Sequence, residues 1–151
     1  MIIATRHVGI VVSDLSRALR FYETFLGLTV WHRAIEEGPY IDAVVGIKNV
    51  KLEWIKLKTV DNFIVELLQY HSHPDSQHHP SMIPANKIGC SHIAFTVKNS
   101  MQIYLELINN NYHFNAAPQL APNGYAKVMY CHDPDGTILE LVEEVKNEKL
   151  P

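Results

Sequence analysis

An internal repeat is the feature that most constrains this chain. Residues 7–14 (HVGIVVSD) lie over residues 92–99 (HIAFTVKN) without a gap, and residues 65–68 (VELL) lie over residues 139–142 (LELV). Each copy reads strand, helix, then three strands. The chain has 151 residues, so a copy of roughly 70 cannot cover both faces of its own small sheet. We therefore expect an α+β fold in which two βαβββ repeats pair into one cupped mixed sheet with helices outside. On this reading residues 1–151 form a single domain, with repeats at about 5–70 and 90–145 joined by a loop over 71–89.

The elements follow from local pattern. Residues 6–12 are β-branched and apolar, as a buried strand requires. Asp14 can cap the next turn. Leu15, Leu19, Tyr22 and Leu26 then recur at helical spacing, with Phe21 and Phe25 beside them, and Gly27 ends the helix. Strands are expected over 28–32, 50–57 and 62–70, the last two joined by a turn at 59–62. In the second copy we expect a strand at 91–97 and a helix over about 101–109, capped by Asn99 or Ser100. Further strands are expected at 112–114, 125–130 and 137–144, the last entered through the turn Asp133-Pro134-Asp135-Gly136.

Composition excludes several function classes. A net charge of −3 gives no electrostatic footprint for nucleic acid. No stretch approaches the ~18 apolar residues of a membrane span, and residues 1–12 lack the layout of a signal peptide. Two cysteines, Cys90 and Cys131, make no disulfide framework. They read as inert buried thiols in a reducing cytoplasm.

Four polar residues stand where buried strands should be apolar. His7 opens the first strand of one repeat and His92 holds the matching position of the other; Glu66 lies within FIVELLQY and Glu140 within TILELVEE. A glutamate flanked by Ile, Val and Leu is costly to bury as an ion unless it is paired. Two histidines and two glutamates at equivalent places in a duplicated unit point to a common divalent metal, for which imidazole nitrogen and carboxylate oxygen are suitable donors. Alternation supports one face for each pair: His7 with Gly9 and Val11, His92 with Ala94 and Thr96, Glu66 with Ile64 and Leu68, and Glu140 with Ile138 and Val142. Gly9 and Ala94 are small and leave room beside each histidine.

HVGIVVSDLSRALRFYETFLGLTV, SHIAFTV and DPDGTILELVE together resemble the vicinal-oxygen-chelate superfamily, which includes glyoxalase I, methylmalonyl-CoA epimerase, extradiol dioxygenases, and fosfomycin-resistance and bleomycin-binding proteins. The resemblance spans roughly residues 6–144 and implies paired βαβββ modules with one divalent metal ion per chain (Zn, Ni, Co, Mn or Fe). The implied ligands are His7, Glu66, His92 and Glu140, a set similar to that of bacterial glyoxalase I. Antibiotic-sequestering relatives typically lack the ligands, so the intact set implies an enzyme, and the resemblance also implies a homodimer.

Four protein ligands on an octahedral ion leave two positions for a small-molecule substrate with adjacent oxygens. The resulting expectation is a glyoxalase I-like or epimerase-like isomerase or lyase that moves a proton next to a carbonyl through a metal-bound enediolate. By analogy with glyoxalase I, Glu140 is the first choice of catalytic base and Glu66 the second. The alternatives are a ferrous-iron extradiol-type dioxygenase and a ligand- or antibiotic-binding module without turnover.

Other residues carry weaker readings. Glu53, on KLEWIKL, is a third candidate for the base, with placement on a solvent face beside Lys51 the favoured reading. Tyr70 is either a residue of the cavity mouth or a core-edge aromatic. Residues 36–49, with Tyr40, Ile41 and Val44, are either a lid or substrate wall or a short helix on the sheet edge. The histidines at 71, 73, 78 and 79 are a solvated loop or a second metal site. His32, His113 and His132 are expected at the surface.

Overall fold

A computed structural model describes residues 1–76 and 83–145. His78 and His79 therefore lie outside the described residues. Two compact units divide the chain, Met1–His79 and Pro80–Pro151. Together they are an α+β fold of two four-stranded mixed sheets and three helices, consistent with paired βαβββ modules.

In the first unit β1 (Val8–Val11) leads into α1 (Leu15–Leu19), which runs on as a π-helical segment (Arg20–Phe25). The expected cap is present: Arg17 N donates to Asp14 Oδ1 at 2.8 Å. A long-range bond joins it, Leu15 N to Gln69 Oε1 at 2.9 Å, fixing the helix start to the sheet. Gly27, at φ +73°, ends the segment in the left-handed conformation that a glycine adopts without steric cost. β2 (Thr29–Glu37), β3 (Lys51–Lys58) and β4 (Ile64–Tyr70) complete a sheet of order β1-β4-β3-β2. β1 runs parallel to β4, and the other pairs are antiparallel. Ile55, Leu57, Val65 and Leu67 are fully buried, as are Ala18, Phe21 and Tyr22 on the helical side. This sheet face is therefore the core, and on the opposite face Lys56 and Glu66 stay partly exposed.

β2 is longer than the expected 28–32 because it pairs with β3 along its whole length, with a register shift at Val30/His32. Residues 36–49 then finish β2 and form α2 (Pro39–Val45). Its Ile41 is buried with Val50 and Leu52, and Tyr70, Trp54 and Leu68 pack on the same cluster. The segment is a short helix packed on the sheet face that also carries Glu66; Tyr70 belongs to that packing, while Tyr40 and Val44 are exposed.

The second unit repeats the plan with β5 (His92–Thr96), α3 (Ser100–Asn109), β6 (Gln119–Leu120), β7 (Ala126–His132) and β8 (Ile138–Glu144), in the order β5-β8-β7-β6. Two local expectations fail. The strand at 112–114 reduces to one bridge, Phe114 to Cys131, and the ladder resumes at Gln119, just past Pro118, which has no N–H to give. Neither Asn99 nor Ser100 caps α3 with its own side chain. Glu143 of β8 does so, accepting from Asn99 N at 3.0 Å and from the buried Ser100 hydroxyl at 2.6 Å. The DPDG turn forms as expected, with Asp135 N and Thr137 N both donating to Asp133 Oδ1. Among the described residues no helix is long and apolar enough to cross a membrane.

Candidate metal centre

Register places the site residues of the first unit on the face turned away from α1. Gly9 aligns with Glu66, which aligns with Lys56, and Lys56 with His32. His7, just before β1, falls on the same face, and its Nε2 lies 3.0 Å from Glu66 Oε2. Lys56 Nζ approaches the other carboxylate oxygen, Glu66 Oε1, at 3.3 Å. Trp54 donates its indole N–H to Glu36 Oε1 at 2.9 Å and lies 4.4 Å below the Lys56 ammonium.

The second unit presents the same constellation. Ala94 aligns with Glu140 and Glu140 with Tyr130. His92 Nε2 lies 3.1 Å from Glu140 Oε2. On the other side of the ring, His92 Nδ1 meets Ser91 Oγ at 3.1 Å and Tyr130 Oη at 3.4 Å. These contacts orient the imidazole and leave Nε2 aimed at the carboxylate, as a ligating histidine requires. Burial, and then the Glu140 charge, push the Tyr130 hydroxyl above the usual phenol range.

The donors fit a divalent cation. Two ligand atoms each about 2.1 Å from a metal and at right angles stand about 3.0 Å apart; both pairs have this separation, which is also that of a hydrogen-bonded ion pair. The histidine side chains are 29% and 31% accessible, so the donor atoms remain within reach of an ion. The structure thus brings His7 to Glu66 and His92 to Glu140. Among the described residues no group of three or more His, Cys, Asp and Glu gathers as one metal-binding cluster.

Lys56 and Tyr130 escaped sequence reading, yet a signal for both existed. Folding each antiparallel hairpin at its turn, 59–62 in one unit and 133–136 in the other, sets Lys56 opposite Glu66 and Tyr130 opposite Glu140.

Glu53 corrects the solvent-face expectation. It shares the covered face with Ile55 and Leu57 and is only 6% exposed. Arg33 Nε donates to Glu53 Oε1 at 2.6 Å, and His71 Nε2 lies 2.8 Å from Oε2. Burial disfavours the charge, but the hydrogen bonds from His71 and Arg33 and their charges outweigh it, holding the carboxyl below its usual range. Glu53 therefore contributes stability that is present above its unfolded pKa and is lost as pH falls through the lower folded value. Arg33→Ala is expected to cost about 2 kcal/mol at neutral pH, between a surface and a buried pair. In urea melts the gap to the wild type should shrink as the medium is acidified below pH 4.5. A pH-independent gap would remove the ion pair as its cause.

His132 is buried rather than on the surface. Its Nε2 meets Asn115 Oδ1 at 3.0 Å, and burial pushes the imidazole below its ordinary range. His32 and His113 are exposed, as expected. Both thiols are free; Cys131 is buried, which pushes its pKa up to about 12, while Cys90 is exposed, against expectation.

Known proteins place this fold. A glyoxalase family protein from Bacillus cereus superposes with a TM-score of 0.87 at 24% identity over 97% of each chain. The trypanothione-dependent glyoxalase I of Leishmania major does so with a TM-score of 0.66 at 20% identity, over 93% of this chain and 88% of its own. A glyoxylase/bleomycin resistance protein/dioxygenase domain from Frankia sp. gives 0.67 at 16% identity, over 98% of this chain and 96% of its own. At these identities the likeness speaks for the fold alone. No curated protein matches the chain. The family model that matches covers residues 5–141, and the chain belongs to the Glyoxalase/Bleomycin resistance protein/Dioxygenase superfamily.

Proposed function

We propose that the chain is a divalent-metal-dependent isomerase or lyase of the glyoxalase I or epimerase type. It moves a proton next to the carbonyl of a small molecule with adjacent oxygens. The observation that carries this reading is the repetition of one His–Glu pair, at one register position and one spacing, in both units.

His7, Glu66, His92 and Glu140 would hold one cation per chain (Zn, Ni, Co, Mn or Fe). This requires that the two pairs meet on one ion, within a single domain formed by residues 1–151 or across a homodimer. A bound cation would supply Lewis-acid stabilisation of negative charge on the substrate oxygens. The proton itself passes through a carboxylate. Glu66 is held on both oxygens, by His7 and by Lys56, whereas Glu140 meets only His92 among the ion pairs of the described residues. The freer Glu140 is therefore the base, and Glu66 keeps its place. Tyr130, stacked 5.1 Å from His92 and kept protonated, can donate to a substrate oxygen. The two free thiols suit a cytoplasmic enzyme.

The test combines elemental analysis with exchange in D2O. About one divalent ion per chain, together with metal-dependent deuterium incorporation next to a carbonyl of an α-hydroxy ketone or thioester, is the expected result. Oxygen uptake instead would indicate dioxygenase chemistry. Ligand binding that survives metal removal, without exchange, would indicate a binding module.

A further inference from the structure

The repeat is symmetric in its His–Glu pairs but not in what surrounds them. In the first unit the strand beside Glu66 presents Lys56 and Lys58 on the face that carries His7 and Glu66. The register equivalents in the second unit are Tyr130, opposite Glu140, and His132, opposite Ile138. Neither supplies an exposed ammonium: Tyr130 is a phenol, and His132 is buried, its ring turned to Asn115 and the Gly136 carbonyl. Of the two equivalent strands, therefore, only the one in the first unit sets lysines beside its glutamate.

Both ammonium groups are held over indole rings, and Lys56 is also paired with Glu66. Trp54, fixed by its bond to Glu36, lies under the Lys56 ammonium at 4.4 Å. Trp31, 53% exposed, lies 4.0 Å from the Lys58 ammonium. Indole faces attract cations without cancelling their charge. Lys58 has no carboxylate within ion-pair distance among the described residues, and Lys56 shares Glu66 with His7. The two residues are alternate positions of one strand, roughly 6.6 Å apart along it, close enough for one polyatomic anion to meet both.

We propose that Lys56 and Lys58 form the seat of an oxyanion tail, so that the substrate is an anionic α-hydroxycarbonyl compound carrying a carboxylate or a phosphate. The placement of this seat rests on the metal-site reading above: the chelating end of the substrate goes to the His–Glu pairs and the charged end to the lysines. With Glu66 engaged by a cation through Oε2, the Lys56 ammonium is left to turn toward an incoming anion.

Three ketols separate the possibilities: hydroxyacetone, which is neutral, hydroxypyruvate, which carries a carboxylate, and dihydroxyacetone phosphate. Their binding is measured by calorimetry on the full chain, both cobalt-loaded and metal-free. We expect at least one anionic ketol to bind about tenfold or more tighter than hydroxyacetone, the gain of a charge-assisted contact. The tighter of the two names the tail. Lys56→Gln with Lys58→Gln should abolish the preference, read per bound cobalt and with the circular dichroism spectrum unchanged; Lys58→Gln alone, which leaves the Lys56–Glu66 pair in place, should weaken it at unchanged cobalt content, and Lys56→Arg should retain it. Equal binding of all three ketols by the wild type, or a preference that survives the double substitution, overturns the proposal. Failure to retain cobalt would instead defeat the metal reading; the lysine seat would then stand or fall on the metal-free titrations.

Discussion

His7→Ala is expected to weaken divalent-metal binding by roughly a hundredfold or more, and Glu140→Gln to abolish proton exchange at carbon. Removing a residue that merely orients a ligand typically costs 10- to 100-fold in metal affinity, so losing a ligand itself should cost at least as much. His7 sits ahead of β1 with its side chain 29% accessible, so its loss removes a donor without opening the core. Glu140→Gln keeps one oxygen that can face a cation but loses the group that takes up a proton. Its exchange rate should fall about 10²- to 10⁴-fold, the usual worth of a placed acid–base group, while some metal stays bound. The repeat adds an internal control: His92→Ala should mimic His7→Ala, because each imidazole faces a carboxylate at 3.0–3.1 Å. The measurements are cobalt titration and deuterium exchange by NMR. If His7→Ala and His92→Ala bind cobalt as the wild type does, neither pair is a ligand pair and the metal reading falls. If Glu140→Gln exchanges at a near-normal rate, Glu140 is not the base.

The parts of this molecule that could be read from the sequence are those set by short-range pattern repeated twice. Alternation on residues 7–11 and 92–96, and the glutamates within apolar strands, already put each histidine and each glutamate on one face. What escaped depends on partners distant in the chain. Glu53 looked solvent-facing because Lys51 shares its alternation, but so do Ile55 and Leu57, and the charge is tolerated because Arg33 and His71 arrive from β2 and from beyond β4. The start of α3 has a local cap candidate at Asn99, yet Glu143, far along the chain, caps it. Lys56 has no local mark as a site residue; only hairpin pairing sets it against Glu66. Local propensity carries none of these, since each is decided by which strand comes to lie alongside.

The helical segment of the first unit carries the other large effect. Phe21→Ala is expected to destabilise the protein by about 3–5 kcal/mol, the usual range for truncating a buried aromatic. Helical spacing alone would turn Leu19, Tyr22 and Leu26 inward, yet Leu19 and Leu26 are only half-buried, whereas Phe21 and Tyr22 are fully buried. Leu19 lies ahead of the π-helical stretch, which accounts for Leu26 alone. Leu26 N donates to Phe21 O at 3.1 Å, one residue further back than in an α-helix, and the extra residue rotates the following side chains off the inward line. Phe21 packs edge-to-face on Tyr22 with ring centroids 5.1 Å apart, so alanine would remove both the burial and an aromatic contact. Phe25, half-buried with the Arg20 guanidinium 6.0 Å from its ring, provides the contrast; its alanine variant should lose only about 1 kcal/mol. At about 2–4 °C per kcal/mol for a chain of this size, Phe21→Ala should lower Tm by roughly 10 °C and Phe25→Ala by a few degrees. Cobalt affinity measured below the melting transition should be unchanged in both, because the His7–Glu66 pair lies on the opposite face of the sheet. A shared Tm loss in the two variants would contradict the inward rotation produced by the π-helical stretch. A loss of cobalt affinity in folded Phe21→Ala would show that the packed face and the metal-binding face do not act independently.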